Sequence, residues 1–133
     1  MTVAVRFPDA EAVVASALAA VAAVPVRTVI PAPRPTSFVR LLRTGGVART
    51  TVTDAPILTV EAWAQRPSQA AALAATTRAQ LHALAGTVAG GVTIGRVTDV
   101  SGPQNLPDPV SDQARYTFAV EIYLRGTRFT PGS

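Results

Sequence analysis

The sequence predicts an α+β fold: a mainly antiparallel sheet of four to five strands packed by two alanine-rich helices, in a single domain spanning residues 1–133. Three observations carry this. Tyr116 to Arg125 alternates without a break, with Tyr116, Phe118, Val120, Ile122 and Leu124 on one face and Thr117, Ala119, Glu121, Tyr123 and Arg125 on the other. That is the period of a half-buried strand, about 33 Å long at roughly 3.3 Å per residue. Two stretches have helical spacing and enough apolar surface to cover it, and the elements follow the order helix, strands, helix, strands without internal repeats.

The first helix opens at Phe7-Pro8-Asp9. Asp9 suits the N-cap, where its carboxylate accepts bonds from free N–H groups, and Glu11 places negative charge where the helix dipole favours it. Val13, Val14, Ala17, Leu18, Ala20, Val21 and Val24 continue the run to Pro25. Their apolar arc exceeds half the circumference, so the helix is expected to be buried on two sides or covered by a neighbouring subunit. Val26 to Ile30 reads as a short strand, and the prolines at 31, 33 and 35 as a stiff connector. Phe38 to Thr44 is a second strand and Gly45-Gly46 a turn. Residues 45–54, rich in threonine and arginine, are expected to form an exposed hairpin arm.

Ile57 to Ala64 sets Leu58, Val60 and Ala62 against Thr59, Glu61 and Trp63. The second helix runs from Pro67 or Ser68 to Ala85, with Ala70, Leu73, Ala74, Thr77, Leu81 and Leu84 in one stripe and Gly86 past its end. Val92 to Ser101 is a fourth strand, and residues 102–112 form a proline-rich loop into the long strand. Residues 126–133 read as a loose tail.

All twelve basic residues are arginine, and alanine supplies 25 positions. Both residues have GC-rich codons, so a GC-rich genome accounts for the bias. Selection for arginine at interfaces is the alternative. A net charge of +4, with the arginines scattered along the chain, gives no basic stripe of the kind that marks a nucleic-acid surface. Cysteine is absent, which removes disulfides and thiolate metal sites. The longest nearly apolar run, Ala12 to Val26, contains Ser16 and Pro25 and is mostly alanine, so a soluble protein is expected.

No catalytic, cofactor or metal motif emerges. His82 has no histidine or carboxylate at i±3 or i±4. Asp99, Asp108 and Asp112 lack the spacing and turn glycine of a calcium loop and read as turn and cap residues. Glu61 and Glu121 fall on one sheet face, where pairing with Arg40 or Arg125 is favoured over a glycosidase-type carboxylate pair. Gly45-Gly46 and Gly90-Gly91 lack the lysine of a phosphate loop. Trp63 is a packing residue or, if exposed on the outer sheet face, an interface hot spot.

One resemblance organises these observations. The strings are Phe7-Pro8-Asp9; Arg34-Pro35 followed by Phe38-Val39-Arg40; Arg43-Thr44-Gly45-Gly46; Leu58-Thr59-Val60-Glu61-Ala62-Trp63; Leu81-His82-Ala83-Leu84; Ser101-Gly102-Pro103; Asn105-Leu106-Pro107-Asp108-Pro109; and Tyr116-Thr117-Phe118. In this order and spacing, over roughly residues 7 to 127, the chain resembles the tail terminator (tail completion, tail-to-head joining) proteins of long-tailed actinobacteriophages.

The resemblance implies a structural, non-enzymatic virion protein at the neck, assembled in the host cytoplasm. It would form a hexameric ring that caps the head-proximal end of the tail tube and offers a docking surface to the head-side connector. Tube protein, connector and further copies of the chain would be its partners. No cofactor, membrane or sequence-specific nucleic acid is expected, though DNA would pass through the lumen. Arg43, Arg49 and Thr50 are candidates for contacts along the tail axis. Trp63, Asn105, Asp108 and Asp112 are candidates for contacts between subunits or to the head. The rivals are another neck or minor tail component, a small nucleic-acid-binding module with steeply salt-dependent binding, and a small enzyme with titratable groups gathered in a pocket.

Overall fold

A computed structural model describes residues 3–132. In chain order these form β1 (Ala4–Arg6), α1 (Ala10–Ala19), β2 (Val26–Arg27), β3 (Phe38–Gly45), β4 (Thr53–Asp54), β5 (Ile57–Ala64), α2 (Pro67–His82), β6 (Val88–Ala89), β7 (Val92–Asn105), β8 (Ala114–Arg125) and β9 (Thr127–Phe129). The alternating stretch is β8, and it lies inside the sheet, flanked by β5 and β7 in the order β2-β3-β5-β8-β7-β6.

The sheet is larger than the expected four to five antiparallel strands. It has seven and is mixed, because β2 runs parallel to β3 with Val26 opposite Val39. The extra strands, β4 and β6, are two residues each, too short to show any alternation. β4 extends the line of β5 along β8, pairing Thr53 with Arg125 and Asp54 with Leu124. Pro56 lacks an N–H but still supplies its carbonyl to Ile122 N–H at 3.0 Å, so the ladder continues across the break.

One face of the sheet carries the core. Val39, Leu41, Leu58, Val60, Phe118, Val120, Ile122 and Leu124 are buried there beneath Ala10, Val14 and Leu18 of α1 and Ala74 and Leu81 of α2. Alanines along α2 let the helix lie close on β5 and β8. Asp9 caps α1 as expected, accepting a bond from Ala12 N–H at 3.1 Å. The helix stops at Ala19, short of Val24, because its last turn tightens: Val21 and Ala22 both donate to the Leu18 carbonyl. Val24 precedes a proline, which disfavours the helical region. The chain must also turn there to bring the Pro25 carbonyl to Val39 N–H at 2.9 Å.

The expected loose tail contains β9, which pairs antiparallel with β1 as a separate two-stranded ribbon. Gly126 makes the corner possible, since a Cβ there would sit 2.4 Å from Val5 Cγ1 and 2.9 Å from Phe7 Cδ1. The expected proline loop is also shorter, because β7 extends through Gly102 and Pro103 to Asn105 by way of register shifts.

Candidate interaction surfaces

The helix-free face of the sheet, the two ends of the β7–β8 hairpin and the outer side of α1 remain open. On the helix-free face, Trp63 is fully buried, so of the two readings the sequence left open the packing one holds within the subunit. It stacks on Phe38 with ring centroids 5.3 Å apart, and the guanidinium groups of Arg34 and Arg115 each lie 5.2 Å from its centroid. Its Nε1–H donates to Glu61 at 3.2 Å. Glu61 in turn accepts two bonds from Arg40, at 2.7 and 3.1 Å, the cross-strand pairing foreseen from the sequence. Arg115 stands 3.8 Å away on its other side.

Glu121 pairs with Arg49 at 3.3 Å rather than with Arg125. Ile57 is its neighbour on β5, so Glu61 lies four residues further along that strand. This is about 13 Å at roughly 3.3 Å per residue, wider than a glycosidase pair.

The arm folds back onto its own sheet. Arg43 does not reach outward; it staples the arm's base, donating to Asp54 at 2.9 Å and to the Gly45 and Gly46 carbonyls. Gly46 has φ +95°, and a Cβ there would sit 2.1 Å from the Ala55 carbonyl oxygen, so only glycine fits this crossing. Arg49, 54 % exposed, holds the tip down through Glu121 and lies 5.9 Å from the Tyr123 ring centroid. The Thr50 hydroxyl accepts from Val52 N–H at 3.2 Å within the turn.

At the opposite end of β8, the 106–113 loop is tied by its own aspartate. Asp108 accepts from Ser111 N–H at 3.1 Å, from Val110 N–H at 3.4 Å and from the Ser111 hydroxyl. Those bonds, the Ser111 hydroxyl first, hold its carboxyl below the usual range, with Arg34 adding a smaller contribution. Asp112, left-handed at φ 59°, donates its N–H to the Asp108 carbonyl at 2.8 Å. Arg34 reaches in from the proline connector to Ser111 at 3.0 Å and Gln113 at 3.3 Å. Asn105 is exposed where β7 ends. Thus Asn105, Asp108 and Asp112 share one end of the molecule, with Trp63 packed behind Arg34. Arg49 and Thr50 belong to the arm at the other end.

Sequence reading missed one constellation. Asp99 on β7 accepts from Arg78 Nε at 3.2 Å and lies 2.7 Å from His82 Nε2, both on α2. The carboxylate partner that His82 lacks along its helix comes from the sheet. Arg78 first, then His82, lower the Asp99 carboxyl to about 2. No nucleophile takes part in these contacts. Among the described residues, no group of three or more histidines and carboxylates is arranged to hold a metal ion, and no buried side-chain polar atom lacks a partner. None of the helices among these residues is long and apolar enough to cross a membrane.

The outer side of α1 completes the survey. Ala12, Val13, Ser16 and Ala17 face Leu84 and Val88 across an open apolar groove of about 600 Å³. The apolar arc read from the sequence is therefore only half used by the core.

These surfaces are held in shape by ion pairs and hydrogen bonds. The family described as phage tail termination protein matches residues 6–131, nearly the whole chain. The chain belongs to this family. Its role is thus structural, in assembly of the phage tail, and its place is the tail end of the virion. A search of curated proteins found no match.

Proposed function

We propose that this tail terminator caps the head-proximal end of the tail tube as a hexameric ring, ends tube polymerisation and presents the surface on which the head-side connector docks. The match over residues 6–131 carries this reading. The geometry supports it with shaped, pre-tied protrusions at both ends of the subunit and an uncovered apolar groove on its side. One ring face copies the docking surface of the tube; the other lacks it, so addition stops.

Arg49 and Thr50, at the tip of the arm, are assigned to the tube, with Arg43 holding the arm's shape. Asn105, Asp108 and Asp112 are assigned to contacts between subunits or with the head. Trp63 serves this surface from within, as the base on which Arg34 rests. Assembly takes place in the host cytoplasm, and DNA passes through the lumen without being gripped.

The test is electron microscopy of particles from a phage with a stop codon in this gene. Full heads beside unattached tails of excessive, uncontrolled length are expected. Tails of normal length detached from heads would make it a head-side neck protein, and intact particles would end the reading.

A further inference from the structure

The groove on α1 is open and apolar, and the chain itself carries an apolar protrusion. Val110 is 93 % exposed, and Leu106 beside it 45 %. Val110 sits on a backbone tied by hydrogen bonds. Its N–H is bound by Asp108, the Ser111 and Asp112 amides that follow also bond to Asp108, and Arg34 anchors the loop to the connector. Pro107 and Pro109 stiffen the strip further. A protrusion ordered before contact loses little entropy on binding.

The groove answers it chemically. Ala12, Val13, Ala17, Leu84 and Val88 give it apolar walls with no charged side chain, and Ser16 and Thr87 supply its only side-chain hydroxyls. Val88 is itself 67 % exposed at the groove's lip. A small polar ligand would find few groups to orient it.

The two features cannot meet within one chain. The groove lies beside the β6–β7 turn, where β7 begins at Val92, and the Val110 loop follows its other end at Asn105. Helix α2 starts near Ala114, at the loop end, and finishes below the groove. Its sixteen residues span about 24 Å at roughly 1.5 Å per residue. A protrusion and a groove on different patches of the same subunit make a heterologous contact, the kind that closes into a ring when the rotation between copies permits. We infer that the groove between α1 and the β6–β7 turn receives the Leu106–Val110 strip of a second copy of this chain. This rests on the ring reading only in requiring a copy-to-copy contact.

The absence of cysteine makes a clean test possible. Val110→Cys and Ser16→Cys, both at exposed positions, are mixed as full-length single variants, oxidised mildly, and their linked peptides counted by mass spectrometry. The double variant is built into phage particles and treated likewise. A disulfide needs Cα atoms within about 7 Å, so it reports direct contact. We expect the 16–110 link to exceed the 16–16 and 110–110 links several-fold in the mixture, and the double variant to give a ladder of covalent oligomers. Statistical proportions in solution together with no 16–110 link in particles would overturn the contact, as would a dominant 16–16 link, which would mean two α1 helices face each other about a twofold. Comparison with the stop-codon particles separates the two readings. A 16–110 link with normal tails sinks capping alone, whereas overgrown tails without the link sink this contact alone.

Discussion

The two faces of β5 and β8 are built from alternate residues of the same strands, yet they are held by different physics. On the helix side, Leu58, Val60, Phe118, Val120, Ile122 and Leu124 meet Val14, Leu18, Ala74 and Leu81 through non-directional burial. On the other side, Trp63 and Glu61 are enclosed by Phe38, Arg34, Arg40 and Arg115 through stacking and charge-assisted bonds with fixed geometry. The first arrangement tolerates exchange of one apolar group for another of similar volume. The second depends on Glu61 and its partners Arg40, Arg115 and Trp63 all being present, because losing one leaves a charge or a donor uncompensated in a place water barely reaches.

The largest effect should follow from opening the helix side. Phe118→Ala is expected to cost about 3–5 kcal/mol in urea unfolding, while Phe118→Leu costs about 1 kcal/mol. Glu61→Gln tests the opposite face with almost no change in volume. It strips Arg40 and Arg115 of their counter-charge, and we expect a loss of about 2 kcal/mol, below the roughly 3–5 kcal/mol of a fully buried pair because both arginines keep some exposure. A loss under about 0.5 kcal/mol would place this network with ordinary surface pairs and erase the contrast between the faces.

A smaller change should separate local order from global stability. Arg34→Ala removes the link between the proline connector and the 106–113 loop, but leaves Trp63 on Phe38. Unfolding free energy should fall by less than about 1 kcal/mol, as for other exposed pairs. Amide exchange over Leu106 to Gln113 should nonetheless accelerate several-fold relative to β5, since Arg34 holds both Ser111 and Gln113. Unchanged exchange would mean that Asp108 alone shapes the loop.

These contrasts follow the limits of what the sequence could reveal. Alternation assigned Leu58, Val60 and Ala62 to one face and Thr59, Glu61 and Trp63 to the other, because period two is a local property of a strand. The Arg40–Glu61 pair was legible for the same reason: both residues lie on strands expected to be neighbours. Whether Trp63 was open or covered was not legible, since its cover arrives from Arg34 and Arg115 in a remote connector and at a strand end. β1 and β9 escaped notice because three residues carry too little pattern, and β4 and β6 are shorter still. The arm's tip is exposed as expected, but the ion pairs at Arg43 and Arg49 were not legible, because only the fold brings Asp54 and Glu121 to them. The tail terminator resemblance needed none of these contacts, being carried by the order of short strings along the chain.

The Asp99 triad gives the smallest prediction and the one least visible in the sequence, since α2 and β7 had no stated register. Its carboxyl is lowered from 3.8 to about 2 by Arg78 and then His82. A depressed carboxylate contributes stability that is present above its unfolded value and lost as pH falls through the folded one. The contribution should therefore be constant above about pH 5, shrink from about pH 4, and vanish near pH 2. More than a third of the Asp99 side chain is exposed, so solvent screening keeps the effect below about 1 kcal/mol. The measurement is the difference in unfolding free energy between the wild-type chain and Asp99→Asn from pH 6 to pH 2. A gap that closes across pH 4 to 2 ties α2 to β7 through this carboxylate. A gap that stays constant to pH 2 would mean that asparagine destabilises through packing, and that the ion pair does not hold this edge of the sheet.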